Sequence, residues 1–122
     1  MITVDASEVE GFIASVPFKR TLKPLISPSI QSGVKGLGLG MTIFPPGSRS
    51  NSHSHDVTQE AWYVVSGEGE IVVGEETARL KPDMVVVAPP GLPHHLTNTG
   101  DEDLKVLWIF VPPGPETEFI KK

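Results

Sequence analysis

Apolar and polar residues alternate over short stretches of this chain, and no window keeps a helical period for more than two turns. Glycine and proline separate the stretches at even spacing. Short alternating segments between turns are typical of β-strands. The pattern predicts strands at residues 20–26, 34–44, 60–66, 69–73, 76–80, 84–88, 94–98 and 104–111. The first dozen residues predict one short helix, capped by Asp5 or Ser7.

Evenly spaced short strands predict an all-β sandwich or barrel. The length of 122 residues suits a single domain, and nothing in the chain indicates a linker or an internal repeat. Segments 84–88 and 104–111 are apolar on both faces, which predicts that a second sheet or a second subunit covers their outer faces. A two-layer sandwich that buries everything internally fits the periodicity equally well.

The composition narrows the range of partners. Apolar residues make up 39% and charged residues 20% of the chain, a balance typical of a soluble globular protein. The formal net charge is −5 and no cluster of lysine and arginine occurs, so we expect no nucleic-acid partner. The N-terminus lacks the basic and apolar regions of a signal peptide, and no apolar run is long enough for a membrane span. The expected location is the cytoplasm.

The candidate chemistry lies in two short segments that hold all four histidines. His53 and His55 are two positions apart, a spacing that directs both side chains to one side of a strand. Glu60 follows at the start of a strand and shares a face with apolar residues, where an unpaired carboxylate would be costly. His94 and His95 are neighbours on a later strand, so only one points inward, and the shared face with Leu96 favours His94.

Imidazole and carboxylate side chains in such a group indicate a site for a divalent metal ion. The chain has no cysteine, so any ligands are histidine, carboxylate or amide groups. Three imidazoles and one carboxylate suit Mn, Fe, Co, Ni, Cu or Zn, and among these we favour Mn or Fe. An octahedral ion would keep two open positions, whereas a tetrahedral zinc ion would be closed and structural. A His-x-His pair taken alone is more often a surface feature.

Two motifs in the chain resemble those of the cupin superfamily, in particular small single-domain cupins of the conserved-barrel type. The first family motif is Gly, five residues, His-x-His, three or four residues, Glu, six residues, Gly, and this chain reads Gly47-SRSNS-His53-Ser54-His55-DVTQ-Glu60-AWYVVS-Gly67. The second is Gly, five residues, Pro-x-Gly, two residues, His, three residues, Asn, and this chain reads Asp83-MVVVA-Pro89-Pro90-Gly91-LP-His94-HLT-Asn98. Asp83 replaces the first glycine, and aspartate also tolerates turn conformations.

The resemblance implies a jelly-roll barrel, or double-stranded β-helix, with little helix. Residues 34–112 would form its core, and residues 1–33 an N-terminal arm and early strands. It implies that His53, His55, Glu60 and His94 are the metal ligands. It also implies that Asn98 secures a turn, and that the chain forms a homodimer in which the segment around 20–26 is a candidate for exchange.

Successive side chains of a β-strand point to opposite faces, and this alternation predicts which residues line the cavity. Trp62, Trp108 and Phe110 are expected to form an apolar pocket beside the metal, with Met41 joining from the preceding strand; packing in the core is the alternative role for each. Tyr63 is expected to face outward. Arg20 and Arg49 lie outside the second motif and the last strand, and either could reach the mouth. Such a pocket suits a small, largely apolar or aromatic substrate that contacts the metal through oxygen.

These features predict a metal-dependent enzyme of the oxygenase or the isomerase and lyase class, although no catalytic residue can be named. Similar small cupins include dioxygenases, isomerases, lyases, decarboxylases and polyketide cyclases. Oxygen chemistry is favoured slightly, because it needs a redox-active metal but few protein acids or bases. The alternatives are a non-catalytic ligand-binding or sensor protein, and a barrel that a structural metal closes.

Overall fold

Two antiparallel sheets face each other in the computed structural model, which describes residues 1–120. The strands are β1 (Phe12–Ile13), β2 (Thr21–Ile26), β3 (Gly38–Phe44), β4 (Gln59–Ser66), β5 (Gly69–Val73), β6 (Glu76–Leu80), β7 (Val85–Ala88), β8 (His94–Asn98) and β9 (Leu104–Val111). The larger sheet has the order β1-β2-β3-β9-β4-β7, and the smaller sheet has the order β6-β5-β8.

The predicted all-β class is confirmed, and the predicted strands end within a few residues of the observed ones. The predicted N-terminal helix is a single 3-10 turn, Ala6–Glu8, and Asp5 caps it by accepting a hydrogen bond from the Ser7 backbone N–H. A second 3-10 helix, Pro115–Phe119, follows β9. No helix among residues 1–120 is long and apolar enough to cross a membrane.

The core lies between the two sheets. Both sheets contribute alternate residues of their strands, as expected when each pleated strand turns one face inward. Val64 on β4 and Leu104 on β9 are fully buried, and Ile71 on β5 packs against them from the smaller sheet. The other buried members of the core are Phe44, Trp62, Leu80, Ala88, Leu96, Val106, Trp108 and Phe110.

Pro24 occupies the middle of β2, where a missing N–H group would ordinarily interrupt a sheet. β1 pairs only with Thr21 and Leu22, so β2 has no outer neighbour at Pro24. The register with β3 shifts between Pro24 and Ile26. Proline is therefore tolerated at a local sheet edge beside an irregularity. Residues 21–26, which were considered for exchange between subunits, pair with β3 of the same chain.

Gly40 and Trp108 form a size-matched pair across β3 and β9. A Cβ atom at position 40 would collide with the indole ring and would lie 2.6 Å from the Lys23 carbonyl oxygen. The indole Nε1–H donates to the Thr42 hydroxyl at 2.9 Å. The absence of a side chain at position 40 thus allows a buried tryptophan to lie flat against the sheet.

The long loop between β3 and β4 runs along the open edge of β8. Ser50 donates its backbone N–H to Leu96, at 2.9 Å, while His53 and His94 exchange two backbone hydrogen bonds of 3.1 and 2.8 Å. The loop therefore satisfies the backbone groups that β8 would otherwise expose. It also fixes the segment that carries two of the histidines against the strand that carries a third.

Two turns show how the second motif is held. Asp83 has a left-handed backbone with φ of 73°, a conformation that favours glycine, at the position that glycine occupies in the resembled motif. Asn98 donates from Nδ2 to the carbonyl oxygens of Phe44 and Glu102, at 2.9 and 2.8 Å, and accepts from the Gly100 N–H. This side chain secures a turn, as the sequence predicted.

The outer face of the larger sheet carries an exposed apolar stripe. Val85 and Val87 on β7 are 63% and 52% exposed. The stripe continues over β4 and β9 through Tyr63, Val65, Ile109 and Val111. Tyr63 faces outward, as predicted. The sequence also predicted that a second sheet or a second subunit covers the outer faces of these strands, and none of residues 1–120 of this chain covers them.

Candidate metal centre and its cavity

Three parts of the fold bring together the group that we call the His/Glu cluster: His53, His55, Glu60 and His94. Glu60 comes from β4 of the larger sheet, His94 from β8 of the smaller sheet, and His53 and His55 from the connecting loop. One ligand atom from each side chain lies within 4.8 Å of all the others. Glu60 Oε1 is 3.0 Å from His94 Nε2, 3.5 Å from His55 Nε2 and 4.0 Å from His53 Nε2. Glu60 and His94 are almost fully buried.

Backbone carbonyl groups orient two of the imidazoles. His53 Nδ1 is 2.8 Å from the Asn51 oxygen, and His94 Nδ1 is 3.2 Å from the Leu92 oxygen. A carbonyl oxygen can only accept, so each Nδ1 carries the proton and each Nε2 of the neutral ring presents a lone pair. The Nε2 atoms are the ones that face the centre of the cluster, which is the arrangement that supports metal ligation.

The donor set fits a cation. When the His94 ring carries its single proton on Nδ1, its Nε2 and Glu60 Oε1 are both hydrogen-bond acceptors, and they lie 3.0 Å apart. His55 Nε2 is buried and forms no hydrogen bond, although it lies 3.5 Å from Glu60 Oε1. Buried polar atoms normally have partners. A divalent ion would supply one partner for all four side chains, so the cluster could hold a metal ion.

Burial favours the neutral form of His53. Its pKa is lowered, chiefly because the ring is removed from water and also because His94 lies nearby, while the hydrogen bond to Asn51 acts in the opposite direction. Neutral imidazole is the form that ligates metals. The site thus holds His53 in the required state.

The two neighbouring histidines of β8 have different environments. His94 is 2% exposed and turns into the cluster, and the Trp62 ring packs against it with centroids 5.0 Å apart. His95 is on the opposite face of the strand and half-buried. The inward orientation predicted for His94 is confirmed.

Two neighbouring cavities, which share four lining residues, adjoin the cluster. The inner chamber, of about 50 Å³, lies among buried aromatic and aliphatic side chains that include Trp62 and Trp108. It has room for a few water molecules only. The outer chamber, of about 440 Å³, is of a size that suits a small organic molecule. Its lining residues are Ala14, Arg20, Asn51, His53, Ser54, His55, Phe110, Pro115, Glu118 and Phe119.

The predicted pocket residues are divided between these chambers. Trp62 and Trp108 line the inner chamber, and Phe110 lines both. Met41 lines neither chamber. The buried positions of β3 alternate with it along the strand, and one of them, Thr42, lines the inner chamber instead. The expectation that Met41 joins the pocket is therefore corrected. The physical reason is the alternation of side chains along β3, which turns Thr42 inward, where its hydroxyl accepts from the Trp108 indole.

Two prominent wall residues were not part of the predicted apolar pocket. Arg20, considered only for the mouth, lines both chambers and is 7% exposed. Phe119 on the C-terminal 3-10 helix also lines both. This helix is anchored by buried Glu116, which accepts hydrogen bonds from the Ser27 hydroxyl and the Gly114 N–H at 2.6 and 2.7 Å. An isolated phenylalanine in the polar segment PETEF was the available signal.

The cupin domain family model, Cupin_2, matches residues 40–110, and the chain belongs to that family. The match includes all four members of the His/Glu cluster. The double-stranded β-helix predicted from the resemblance is likewise confirmed.

The chain is similar to several other proteins. The uncharacterized protein MJ1618 of Methanocaldococcus jannaschii is 33% identical over 92 residues, which are 75% of this chain and 73% of the relative. The polyketide synthase CurC of Streptomyces cyaneus is 30% identical over 95 residues, which are 78% of this chain and 61% of CurC. A predicted oxalate decarboxylase from Thermotoga maritima has a similar structure, with a TM-score of 0.82, 24% identity, and coverage of 92% of this chain and 100% of the other. That last likeness concerns the fold alone.

Proposed function

We propose that this protein is a metal-dependent enzyme that acts on a small, largely apolar molecule bearing oxygen atoms. The observation that carries the proposal is the convergence of three imidazoles and one carboxylate beside a chamber of about 440 Å³. A closed structural metal site would need no such chamber. The substrate would lie in the outer chamber, with Phe110 and Phe119 against its apolar part.

The ligands in the proposal are His53, His55, Glu60 and His94, and the preferred ions are manganese and iron. A bound divalent ion would supply Lewis acidity, and a redox-active one would also permit chemistry with dioxygen. Backbone carbonyl oxygens orient the His53 and His94 rings so that each Nε2 faces the cluster, and the aromatic side chains of the inner chamber limit the space for water beside it.

Oxygen chemistry remains the favoured reaction because the chamber walls offer few proton carriers. Apart from the ligands, the ionisable side chains among the outer-chamber residues are Arg20 and Glu118. Glu118 is exposed. Tyr63 and His95, which could transfer protons, both lie on outward faces. An isomerase or lyase would require a proton carrier beside the substrate.

Cyclisation of a chain with several carbonyl groups is a second candidate. It is favoured by the similarity to the polyketide synthase CurC, which extends over 78% of this chain. A Lewis-acidic ion would polarise a carbonyl oxygen, and the aromatic wall would accommodate the forming ring. Oxygen uptake separates the two reactions, because cyclisation consumes no dioxygen.

The first experiment measures the metal content of untagged protein beside His94→Ala and His95→Ala variants. We expect near-stoichiometric metal in the unaltered protein and the His95 variant, and a large loss in the His94 variant. Iron- and manganese-loaded protein is then assayed with small phenols, diketones and thiols for oxygen uptake and for product. Equal metal content in all three proteins would contradict the ligand assignment.

A non-catalytic ligand-binding or sensor protein is the alternative. It predicts saturable binding of a small molecule without turnover by either metal form. Turnover that disappears in the His94 variant and persists in the His95 variant would exclude it.

The exposed stripe on β4, β7 and β9 supports a further part of the proposal, namely that the protein is a homodimer. Exposed contiguous apolar surface of this kind is typical of protein interfaces. β7 is also an edge of the larger sheet, so a second copy could pair with it or cover its outer face.

A further inference from the structure

Arg20 is a buried cation at the boundary between the two chambers. Its residue is 7% exposed and lines both cavities together with His53, Phe110 and Phe119. Arginine is rarely buried unless it is paired. A buried arginine in the wall of a ligand-sized cavity therefore calls for an explanation.

The protein itself satisfies only part of this guanidinium. Nη1 donates to the Phe18 carbonyl oxygen at 2.8 Å, and Nη2 donates to Asn51 Oδ1 at 3.3 Å. A guanidinium has five N–H donors, and both of these acceptors are uncharged. Within residues 1–120, no carboxylate forms an ion pair with Arg20. Burial lowers its pKa, although arginine stays protonated in proteins.

The two acceptors also fix the position of the group. Phe18 precedes β2, and Asn51 lies two residues before His53 in the loop between β3 and β4. The guanidinium is therefore held between the N-terminal segment and the loop that carries two of the histidines. Bonds to both sides leave it few alternative rotamers. Such a preorganised cation can bind an anion without a large loss of side-chain entropy.

We infer that Arg20 anchors the substrate by binding a carboxylate group, so that the substrate class is small organic carboxylates, aromatic ones included. The planar guanidinium can donate two parallel hydrogen bonds to a carboxylate. Phe110 and Phe119 would flank the remainder of the molecule. This inference rests on the proposed function for the orientation of the substrate toward the His/Glu cluster, but the anion site itself depends only on Arg20 and the chamber.

The location of Arg20 explains why an anion is preferred. Glu60 is the acidic member of the cluster, and a divalent ion there would more than offset its charge. Glu118 also lines the outer chamber, but its carboxylate is exposed to solvent. With a divalent ion bound, the ion and Arg20 together outweigh the two carboxylates, so the balance is positive, and charges removed from water interact more strongly than exposed ones. A carboxylate would neutralise part of that balance and provide the missing acceptors.

The test uses benzoate as the probe and benzamide as its uncharged counterpart. Calorimetric titrations are made on metal-stripped and manganese-loaded forms of the full chain, for the unaltered protein and for Arg20→Met, Arg20→Lys and Arg49→Met. Arg49 is the matched control, because it is an exposed arginine of the loop between β3 and β4 that lies over the Phe18 ring and lines neither chamber.

We expect the unaltered protein to bind benzoate at least about tenfold more tightly than benzamide. Arg20→Met should weaken benzoate binding about tenfold to a hundredfold, as expected for loss of a hydrogen-bonded charge, and should leave benzamide binding nearly unchanged. Arg49→Met should bind both probes as the unaltered protein does. Arg20→Lys should show an intermediate loss, because it keeps the charge but not the planar donor pair.

Benzoate binding that is equal in the Arg20→Met and Arg49→Met variants would overturn the inference. So would failure of benzoate to bind to either form of the unaltered protein. If Arg20→Met does not fold, the Arg20→Lys variant and the benzoate preference of the unaltered protein decide the matter.

Metal uptake is measured separately by elemental analysis. If the protein takes up no metal, the proposed function fails, yet a loss of benzoate binding by metal-stripped Arg20→Met still supports the anion site. If metal binds and the Arg20 variants behave as the unaltered protein does, only the inference about Arg20 fails.

Discussion

Glu60 Oε1 and His94 Nε2 meet at 3.0 Å although β4 and β8 belong to different sheets. The two residues are 34 positions apart in the chain. A metal ion bound between them would therefore join the two layers of the barrel. Ion binding and folding should be coupled, since the unfolded chain does not hold the ligands together.

Removal of the metal should lower the free energy of unfolding. Binding to the folded state alone contributes about 2.7 kcal/mol when free metal is at a hundred times its dissociation constant. Thermal and urea unfolding with and without a chelator measures the change. His94→Ala should show little response to the chelator, whereas His95→Ala should respond as the unaltered protein does. An apo protein as stable as the metal-loaded form would contradict the coupling.

The single tyrosine provides a pH prediction. The pKa of Tyr63 is raised above its ordinary value of 10.0, mainly because its hydroxyl donates a hydrogen bond to the Asp83 carboxylate. Ionisation of the tyrosine removes the donated proton and with it this bond. Because the pKa of Tyr63 is higher in the folded protein than in the unfolded chain, the hydrogen bond stabilises the fold fully at pH values below the unfolded pKa. That contribution to the free energy of unfolding is lost as pH rises through the folded pKa. Ultraviolet titration should show a midpoint above pH 10 that shifts downward in Asp83→Asn. An unchanged midpoint in that variant would count against the bond.

The apolar stripe should determine the oligomeric state. Val87→Lys places a charge at a position that is 52% exposed in one chain. We expect this variant to be monomeric at concentrations where the unaltered protein is dimeric, because burial of an unpaired lysine at an interface is costly. Analytical ultracentrifugation gives the masses. Ile30→Lys is the control, since Ile30 is 43% exposed in a turn away from the stripe. A monomeric unaltered protein would refute the dimer.

Asn98 should make a large contribution to stability despite its distance from any chemistry. Asn98→Ala leaves the buried Phe44 oxygen without its side-chain donor and removes the bond to the Gly100 N–H as well. We expect a loss of at least about 2 kcal/mol in urea unfolding, given the cost of unsatisfied buried groups. Thr97→Ala, on the other face of β8, should cost much less. Equal losses would indicate that the bonds of Asn98 are not the cause.

The strands and the His/Glu cluster could be predicted because their signals are local. Turn residues and two-residue alternation placed β4 to β9, and the same alternation assigned His94 to the inside and Tyr63 to the outside. Two histidines at strand spacing and a carboxylate at the start of β4 needed only one long-range contact to complete the cluster.

Arg20, Phe119 and Met41 could not be placed in this way. Arg20 and Phe119 reach the chamber from segments at opposite ends of the chain, and the distant bond between Glu116 and Ser27 decides where the C-terminal helix lies. The sequence does not indicate which side of β3 faces the core, because Gly38 and Gly40 on that side carry no side chains. The inner face of β3 also includes Thr42, a polar residue whose hydroxyl accepts a hydrogen bond from Trp108.

The pairing of Gly40 with Trp108 has a consequence for how such barrels diversify. A side chain at position 40 overlaps the indole, and a smaller residue at position 108 leaves a void that lowers stability. We therefore expect the two positions to covary in evolution, with a bulky residue at one accompanied by a small residue at the other. A side chain at position 40 should therefore appear only in relatives whose residue at position 108 is smaller than tryptophan, and those relatives would have a differently shaped inner chamber.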